Sequence, residues 1–135
     1  MNNINMEGTA KTPDLNFDAT TGIIDIKGRS IPENSVEFYK PVLEWLDEYA
    51  NQAQPKTIAN IQLEYFNTSS SKCILDVLKK FEAIAKAGHD IVVRWHYESD
   101  DEDMQEAGEA FRNAAIDDRN PAPEKALVNL GVCFM

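Results

Sequence analysis

The sequence has few cysteines and no long apolar run. Its two cysteines, Cys73 and Cys133, are too few and too far apart in sequence for a zinc site or a disulfide framework, so we expect both to be reduced packing residues. No apolar run approaches the ~18 residues of a spanning helix, and we expect no membrane insertion. The start, MNNINMEGTAKTPD, lacks the apolar core of a secretory signal, which favours a cytoplasmic location.

Positive charge is also scarce. The chain has 13 Lys and Arg against 23 Asp and Glu, which gives a formal net charge of -10. Binding to nucleic acid or to anionic lipid needs clustered Lys and Arg, so we expect neither partner. Solubility alone accounts for the negative charge, and a basic protein partner stays open.

No internal repeat or linker divides the 135 residues, which predicts a single domain. Residues 1–13 are predicted to be a loose arm. Residues 112–135 are a tail whose last segment, KALVNLGVCFM, is ambiguous between helix and strand. Between them, periodicity predicts in chain order an antiparallel hairpin from LNFD and GIIDIKG, a helix from Asn34 to about Ala50, a strand at IANIQLEYF, a helix from roughly Ser70 to Ala87, a strand at DIVVRWHY and a helix at DEDMQEAGEAFRNAA.

This alternation predicts an α/β fold. The segments Ile23–Lys27, Ile58–Phe66 and Ile91–Tyr97 are expected to lie parallel, joined by right-handed crossovers. With the N-terminal hairpin, the prediction is a mixed sheet of four to five strands with three to four helices. Loops that leave parallel strands emerge at the same edge, where ligands of such sheets bind. GRSIPENS, NTSSSK and ESDDED are therefore expected to gather there.

The stretch NTSSSK places four consecutive hydroxyl side chains before an apolar helical pattern. One of Thr68, Ser69 and Ser70 is expected to be the helix N-cap, and a single cap is sufficient. The surplus allows phosphorylation, because a helix N-terminus tolerates a phosphate group. Lys72, one turn on from Thr68, would approach that phosphate. Local pattern alone leaves these alternatives open.

Other candidates for chemistry are weaker. Asp100, Asp101, Glu102 and Asp103 suit a helix start or a docking surface for a basic partner, and their spacing is not that of a calcium loop. His89 and His96 have no Ser or Cys partner at helical spacing, so a catalytic pair is not expected. Neither GRS nor SSSK matches a phosphate-cradling glycine loop. The sequence thus predicts no active site, no metal and no cofactor.

Three stretches, GRSIPENSVEFYKPVLEWLDEY, LEYFNTSSSKCILDVLKKFE and VRWHYESDDEDMQEAGEAF, together resemble the SiaC-type bacterial regulatory phosphoproteins. The resemblance covers approximately Leu15 to Phe111, and residues 112–135 do not look like the family's ending. It implies a small α/β fold resembling the anti-sigma factor antagonists (STAS-like).

The resemblance also implies a function in partner switching. A dedicated serine/threonine kinase phosphorylates such proteins, and a PPM-type metal-dependent phosphatase reverses this. The unmodified form binds and activates a diguanylate cyclase, which links it to cyclic diguanylate signalling and biofilms. The threonine of YFNTSSSK, which here is Thr68, corresponds to the family's phosphoacceptor. Ser69 and Ser70 are then expected to be the caps.

These observations predict a non-enzymatic switch protein. Its partner-binding residues are expected among the residues of the three loops, namely Arg29, Ser30, Asn67, Ser69, Ser70, Lys72, Asp100, Asp101, Glu102 and Asp103. The alternative is a binding module for a small phosphorylated ligand at the helix N-terminus after Phe66. An enzyme with Thr68 or Ser69 as nucleophile is disfavoured, because no organised base is evident nearby.

Overall fold

The computed structural model of the protein describes residues 1–115 and 128–132. Within them the chain alternates between strands and helices. The elements are β1 (Ile4–Met6), β2 (Asp14–Asp18), β3 (Ile23–Ser30), α1 (Ser35–Ala50), β4 (Lys56–Phe66), α2 (Thr68–Lys86), β5 (Asp90–Tyr97), α3 (Glu102–Ala115) and β6 (Val128–Val132).

The strands form one mixed sheet in the order β1-β2-β3-β4-β5-β6. β1, β2 and β3 pair antiparallel, whereas β3, β4, β5 and β6 pair parallel. The predicted hairpin and the predicted parallel core are therefore confirmed. Each parallel strand lies beside the strand that precedes it in the chain, so crossovers of one hand carry all three helices to the same face. The three predicted loops, each of which follows a parallel strand, therefore leave the sheet at the same edge.

Alternating burial along the central strands shows which face the helices cover. Ile24 and Ile26 of β3, like Ile91, Val93 and Trp95 of β5, are buried, and the residues between them are more exposed. α1 packs on α2, and α2 packs on α3 and β5. The core thus lies between the three helices and one face of the sheet, and the opposite face is polar at its centre.

Residues 4–6 correct the prediction of a loose N-terminal arm. Ile4 pairs with Phe17, and Met6 pairs with Leu15, so β1 extends the sheet at its edge. The indole N–H of Trp45 also donates to the carbonyl oxygen of Asn2 at 2.8 Å. A three-residue strand is too short for its periodicity to be visible in sequence. With this edge strand the sheet has six strands among the described residues, one more than the upper end of the predicted four to five.

The last segment of the tail resolves as a strand where it is described. Val128–Val132 pairs in parallel with Val93–Tyr97 of β5, as part of the ambiguous KALVNLGVCFM. A parallel neighbour of a central strand is a long-range pairing, which local pattern does not reveal.

Helix α1 begins where its cap predicts. Asn34 is the N-cap and its Oδ1 accepts the N–H of Glu37 at 3.1 Å, so the helix begins at the residue where the sequence predicts it. Pro41 lies inside α1, in its second turn. Cys73 of α2 is buried and free, as predicted, and burial together with the Asp76 carboxylate raises the pKa of its thiol. Cys133 lies outside the described residues.

Candidate functional site

Two of the three predicted loops meet at the carboxyl edge of the sheet. β3 ends at Ser30 and β4 ends at Phe66 in register, so the loops that follow leave the same edge. The backbone N–H of Asn67 donates to the carbonyl oxygen of Ser30 at 3.1 Å. After the first loop, the hydroxyl oxygen of Ser35 lies 2.9 Å from that of Ser69. GRSIPENS and NTSSSK therefore form one surface, as predicted.

The N-cap of α2 is Asn67, so the prediction that Ser69 or Ser70 caps this helix is wrong. The Oδ1 atom of Asn67 accepts the backbone N–H of Ser70 at 2.8 Å. Asn is as good an N-cap as Ser, and Asn67 precedes the hydroxyl run with an extended backbone, so its side chain reaches the free N–H first. The four hydroxyls are thereby left for other roles, and Thr68 is the first residue of α2.

Five hydroxyl groups, those of Ser30, Ser35, Tyr39, Ser69 and Ser70, form a connected set that we call the hydroxyl cluster. The Ser30 oxygen lies 2.6 Å from that of Tyr39 and 2.9 Å from that of Ser70. The Ser35 oxygen lies 3.1 Å from that of Ser70 and 2.9 Å from that of Ser69. The cluster ties the end of β3 to the first turns of α1 and α2.

Most of the hydroxyl cluster is inaccessible to a partner protein. Ser30 and Ser70 have no exposed surface, which corrects their prediction as partner-binding residues. They are short polar side chains whose bonds inside the core replace those with water. Burial raises the pKa of Tyr39 to about 12, while its hydrogen bond with Ser30 acts in the opposite direction. The Tyr39 phenol is therefore neutral at physiological pH and can donate.

Thr68 differs from the three serines that follow it. It is exposed, and within the described part of the chain its hydroxyl has no hydrogen-bond partner. The hydroxyl of Ser71 donates to the backbone carbonyl oxygen of Thr68 at 2.6 Å. Lys72 is exposed and follows Thr68 by four residues, the spacing that puts two side chains on one face of a helix.

Arg29 lies beside an apolar residue at the same edge. It is exposed and pairs with Tyr65 of β4 just after a β-bulge at Gly28, whose φ of +120° favours glycine. Tyr65 is 53% exposed, and Val36, next to Ser35 in the first turn of α1, is 71% exposed. Neither Tyr65 nor Val36 is among the residues that the sequence predicts to bind a partner. Tyr65 follows the irregularity in the pairing of β3 with β4, and Val36 lies outside the buried face of α1 that includes its neighbour Ser35, so both side chains face solvent.

The acidic run leaves the same edge after β5 but serves α3. Oδ1 of Asp101 accepts the N–H of Met104 at 3.0 Å, which makes Asp101 the cap of the first turn of α3. Asp100, Glu102 and Asp103 are exposed. Among the described residues, no hydrogen bond or ion pair joins this run to the hydroxyl cluster. The acidic run thus leaves the same edge of the sheet as the candidate site, but no hydrogen bond or ion pair among the described residues connects the two.

His96 lies on the polar face of the sheet, opposite the helices. Its Nε2 atom is 3.2 Å from Oδ1 of Asn60, whose Nδ2 donates to Asp25 at 2.9 Å. A shallow cavity of about 360 Å³ there is lined in part by these three residues and Lys27. Burial, with the Arg94 charge, lowers the pKa of His96, and Asp25 opposes this.

The described residues offer neither a metal-binding group nor a helix that could span a membrane. No three His, Cys, Asp or Glu side chains among them are grouped so that they could hold a metal ion. No helix in residues 1–115 has the length and apolar character that crossing a membrane requires.

Residues 6–117 match the family model described as SiaC family regulatory phosphoprotein. An uncharacterized protein of Pseudomonas aeruginosa strain UCBPP-PA14 is 33% identical over 112 residues, which span 83% of this chain and 89% of that protein.

Solved structures of SiaC have the same fold. Apo-SiaC from Pseudomonas aeruginosa matches with a TM-score of 0.79 at 28% identity, over 99% of this chain and 100% of that chain. A chain in the crystal structure of the diguanylate cyclase SiaD in complex with its activator SiaC, from the same species, matches with a TM-score of 0.80 at 29% identity. That match covers 96% of this chain and 98% of the other.

Proposed function

Because the chain belongs to the SiaC family of regulatory phosphoproteins, we propose that it is a non-enzymatic partner-switching regulator that is reversibly phosphorylated on Thr68. Its unphosphorylated form binds and activates a diguanylate cyclase, and so controls cyclic diguanylate and biofilm formation. A serine/threonine kinase adds the phosphate, and a PPM-type phosphatase removes it. These reactions occur in the cytoplasm, and the protein switches partners as anti-sigma factor antagonists do.

The accessibility of Thr68 is the observation that carries this proposal. Of the four consecutive hydroxyls, that of Thr68 is the one that is exposed and without a partner among the described residues. Ser69 and Ser70 belong to the hydroxyl cluster, and Ser71 donates to a backbone carbonyl. A kinase must present γ-phosphate to a hydroxyl that can turn toward it, and Thr68 meets this condition.

Phosphate on Thr68 would change the surface and leave the fold intact. The first turn of α2 has unpaired N–H groups and a partial positive charge, which tolerate an added charge of roughly -1.5 to -2. The exposed residues Arg29, Val36, Tyr65 and Lys72 belong to segments at the same edge of the sheet as Thr68, and we call them the switch surface. Charged and apolar groups mix there, as in a protein interface. New negative charge would weaken a partner that contacts the apolar residues or is itself acidic.

The similar chain in the SiaC–SiaD crystal structure supports a diguanylate cyclase as the partner. The partner-binding residues proposed here are those of the switch surface, with Asn67 and Ser69 at its border and Asp100, Glu102 and Asp103 on the neighbouring loop. Asp101 already caps α3, so we assign it a structural role first.

The test combines labelling with partner binding. Incubation with the kinase and ATP, followed by intact-mass measurement and peptide mapping, should place one phosphate on Thr68. Pull-down of the cyclase should succeed with wild type and Thr68→Ala and fail with the phosphorylated protein. Thr68→Asp should reduce recovery less than phosphate does, because Asp carries less charge. Label on another residue would reject the Thr68 assignment, and equal recovery from every form would reject the switch.

A binding module for a small phosphorylated ligand is the alternative. It has less support, because the Asn67 side chain already occupies the N–H of Ser70 that an anion would use. Stabilisation against heat by inorganic phosphate or nucleotides would favour that alternative.

A further inference from the structure

The buried half of the hydroxyl cluster has a defined direction of hydrogen bonding. The Ser30 hydroxyl donates to Ser70. Each hydroxyl has one proton, so Ser30 has none left for Tyr39, and the phenol of Tyr39 must be the donor of their 2.6 Å bond. Protons therefore point from Tyr39 to Ser30 and from Ser30 to Ser70.

The other half continues in the same direction. The Ser69 hydroxyl donates to Oδ1 of Asn67 at 3.1 Å. Its one proton is thereby used, so Ser35 must donate across the 2.9 Å bond to Ser69. Ser35 then has no proton for Ser70, and Ser70 must donate to Ser35. Each of the four serine hydroxyls donates once and accepts once, and Tyr39 donates once, which is the arrangement in which neighbouring bonds strengthen one another.

This series of hydrogen bonds distinguishes the Ser69 hydroxyl from that of Thr68, although both residues are exposed. The Ser69 proton is held by Asn67, and one lone pair of its oxygen accepts from Ser35. Turning that oxygen toward a kinase breaks both bonds. Thr68 has neither bond, so its hydroxyl turns freely.

We propose that Ser35 is a specificity-determining residue for phosphorylation, because it holds the Ser69 hydroxyl in the chain and leaves Thr68 as the sole acceptor. This inference rests on the proposed function. In the reaction, the Thr68 oxygen bonds to the γ-phosphorus of ATP and the bond from that phosphorus to ADP breaks. The Thr68 proton passes to a carboxylate base of the kinase, and ADP leaves.

Ser35 is the informative member to change, because it comes from a different element. Ser35 lies 34 residues before Ser69 in the amino-acid sequence, and it takes no part in capping α2. Its removal releases one of the two bonds of Ser69 and leaves the Asn67 cap in place. Ser30 is the matched control: it belongs to the same cluster and contacts Tyr39 and Ser70, not Ser69.

The experiment uses a kinase that labels the wild-type protein, with peptide mapping of the phosphate. Wild type should carry it on Thr68 alone, and Thr68→Ala should stay unlabelled. Ser35→Ala should make phosphate on Ser69 detectable and raise the ratio of phosphate on Ser69 to phosphate on Thr68 by roughly tenfold, because loss of one hydrogen bond changes such a ratio by about this factor. The double variant Thr68→Ala with Ser35→Ala should be labelled on Ser69.

Two control variants separate loss of the Ser35 hydroxyl from a general disturbance of the hydroxyl cluster. Thr68→Ala with Ser30→Ala should stay unlabelled, and Thr68→Ala with Ser35→Thr, which restores a hydroxyl, should stay unlabelled too. Circular dichroism and thermal unfolding check that each variant folds. Ser35→Cys, of nearly the same size and a weaker donor, replaces Ser35→Ala if the latter does not fold.

Two outcomes would overturn different claims. A folded double variant without phosphate on Ser69, beside a wild type labelled on Thr68, would overturn the role of Ser35 alone. Wild type without phosphate on Thr68 would overturn the proposed function itself.

Discussion

The hydroxyl oxygen of Ser35, in the first turn of α1, lies 2.9 Å from that of Ser69, in the first turn of α2. The two residues meet because β3 and β4 are parallel neighbours, so both helices begin at one edge of the sheet. The first turns of the two helices are thus joined by hydrogen bonds between side chains. We therefore expect a charge added at Thr68 to be felt at the start of α1, where Val36 is exposed.

The direction of the hydroxyl chain predicts unequal costs for two conservative changes. Ser70→Ala interrupts the chain in its middle and leaves the buried Ser30 hydroxyl without an acceptor, which should lower the free energy of unfolding by about 1–3 kcal/mol. Tyr39→Phe removes the first donor only and should cost about 1 kcal/mol. Urea denaturation of both variants measures the difference. A larger cost for Tyr39→Phe would contradict the direction derived for the chain.

The Asn67 cap predicts a second change in stability. Asn67→Ala should lower the free energy of unfolding by about 1 kcal/mol or more, since it leaves the Ser70 N–H without its acceptor. Asn67→Asp keeps an acceptor and should cost less. Asn34→Ala in α1 is the matched cap, and it should cost less than Asn67→Ala because Asn67 also accepts from Ser69. An equal loss of unfolding free energy in the two Ala variants would mean that the hydrogen bond from Ser69 to Asn67 adds no stability.

Gly108 of α3 packs directly on Trp95. A Cβ atom added at Gly108 would lie 2.5 Å from Cδ1 of the indole, which is closer than real atoms approach. Gly108→Ala should therefore destabilise the protein by about 1–3 kcal/mol, although Ala has the higher helix propensity, because the added methyl group would overpack the contact with Trp95. The control is Ala110→Gly on the exposed face of α3, where propensity alone should cost about 1 kcal/mol. A stabilising Gly108→Ala would show that α3 packs differently.

His96 predicts a pH dependence of stability. Its pKa is lowered in the folded protein, mainly by burial, so the unfolded chain binds more protons between that value and about 6.5. The contribution of His96 is fully present above pH 6.5 and is lost as the pH falls through the folded pKa.

Urea denaturation at several values between pH 7.5 and 5 tests this. The free energy of unfolding of wild type should decrease as the pH is lowered. His96→Gln should make this dependence on pH less steep. His89→Gln, which leaves His96 in place, should keep the wild-type slope. Identical slopes in all three proteins would mean that His96 is not responsible.

Elements with strong periodicity were predictable, and their contacts at the edge were not. The hairpin, the parallel strands and all three helices follow from apolar spacing in sequence. β1 was missed because it has three residues, and its partner β2 decides that it forms at all. Asn67 was passed over as a cap because the serines after it are equally good cap residues. The structure shows which one is used: Asn67 has an extended backbone, its N–H is bound to the Ser30 carbonyl oxygen, and its side chain accepts the N–H of Ser70.

The sequence by itself determined the alternation of strands and helices, the edge at which the three loops leave the sheet, and the motif whose resemblance to the family implies Thr68 as the phosphoacceptor. The alternation depends on local spacing, which each segment carries within itself. The tertiary structure decided which hydroxyls are engaged: Ser70 is buried against Ser30, and Ser69 is bound by Ser35. Such bonds join elements that are far apart in the chain. The register of β3 against β4 brings them within hydrogen-bond distance, and no local pattern encodes that register.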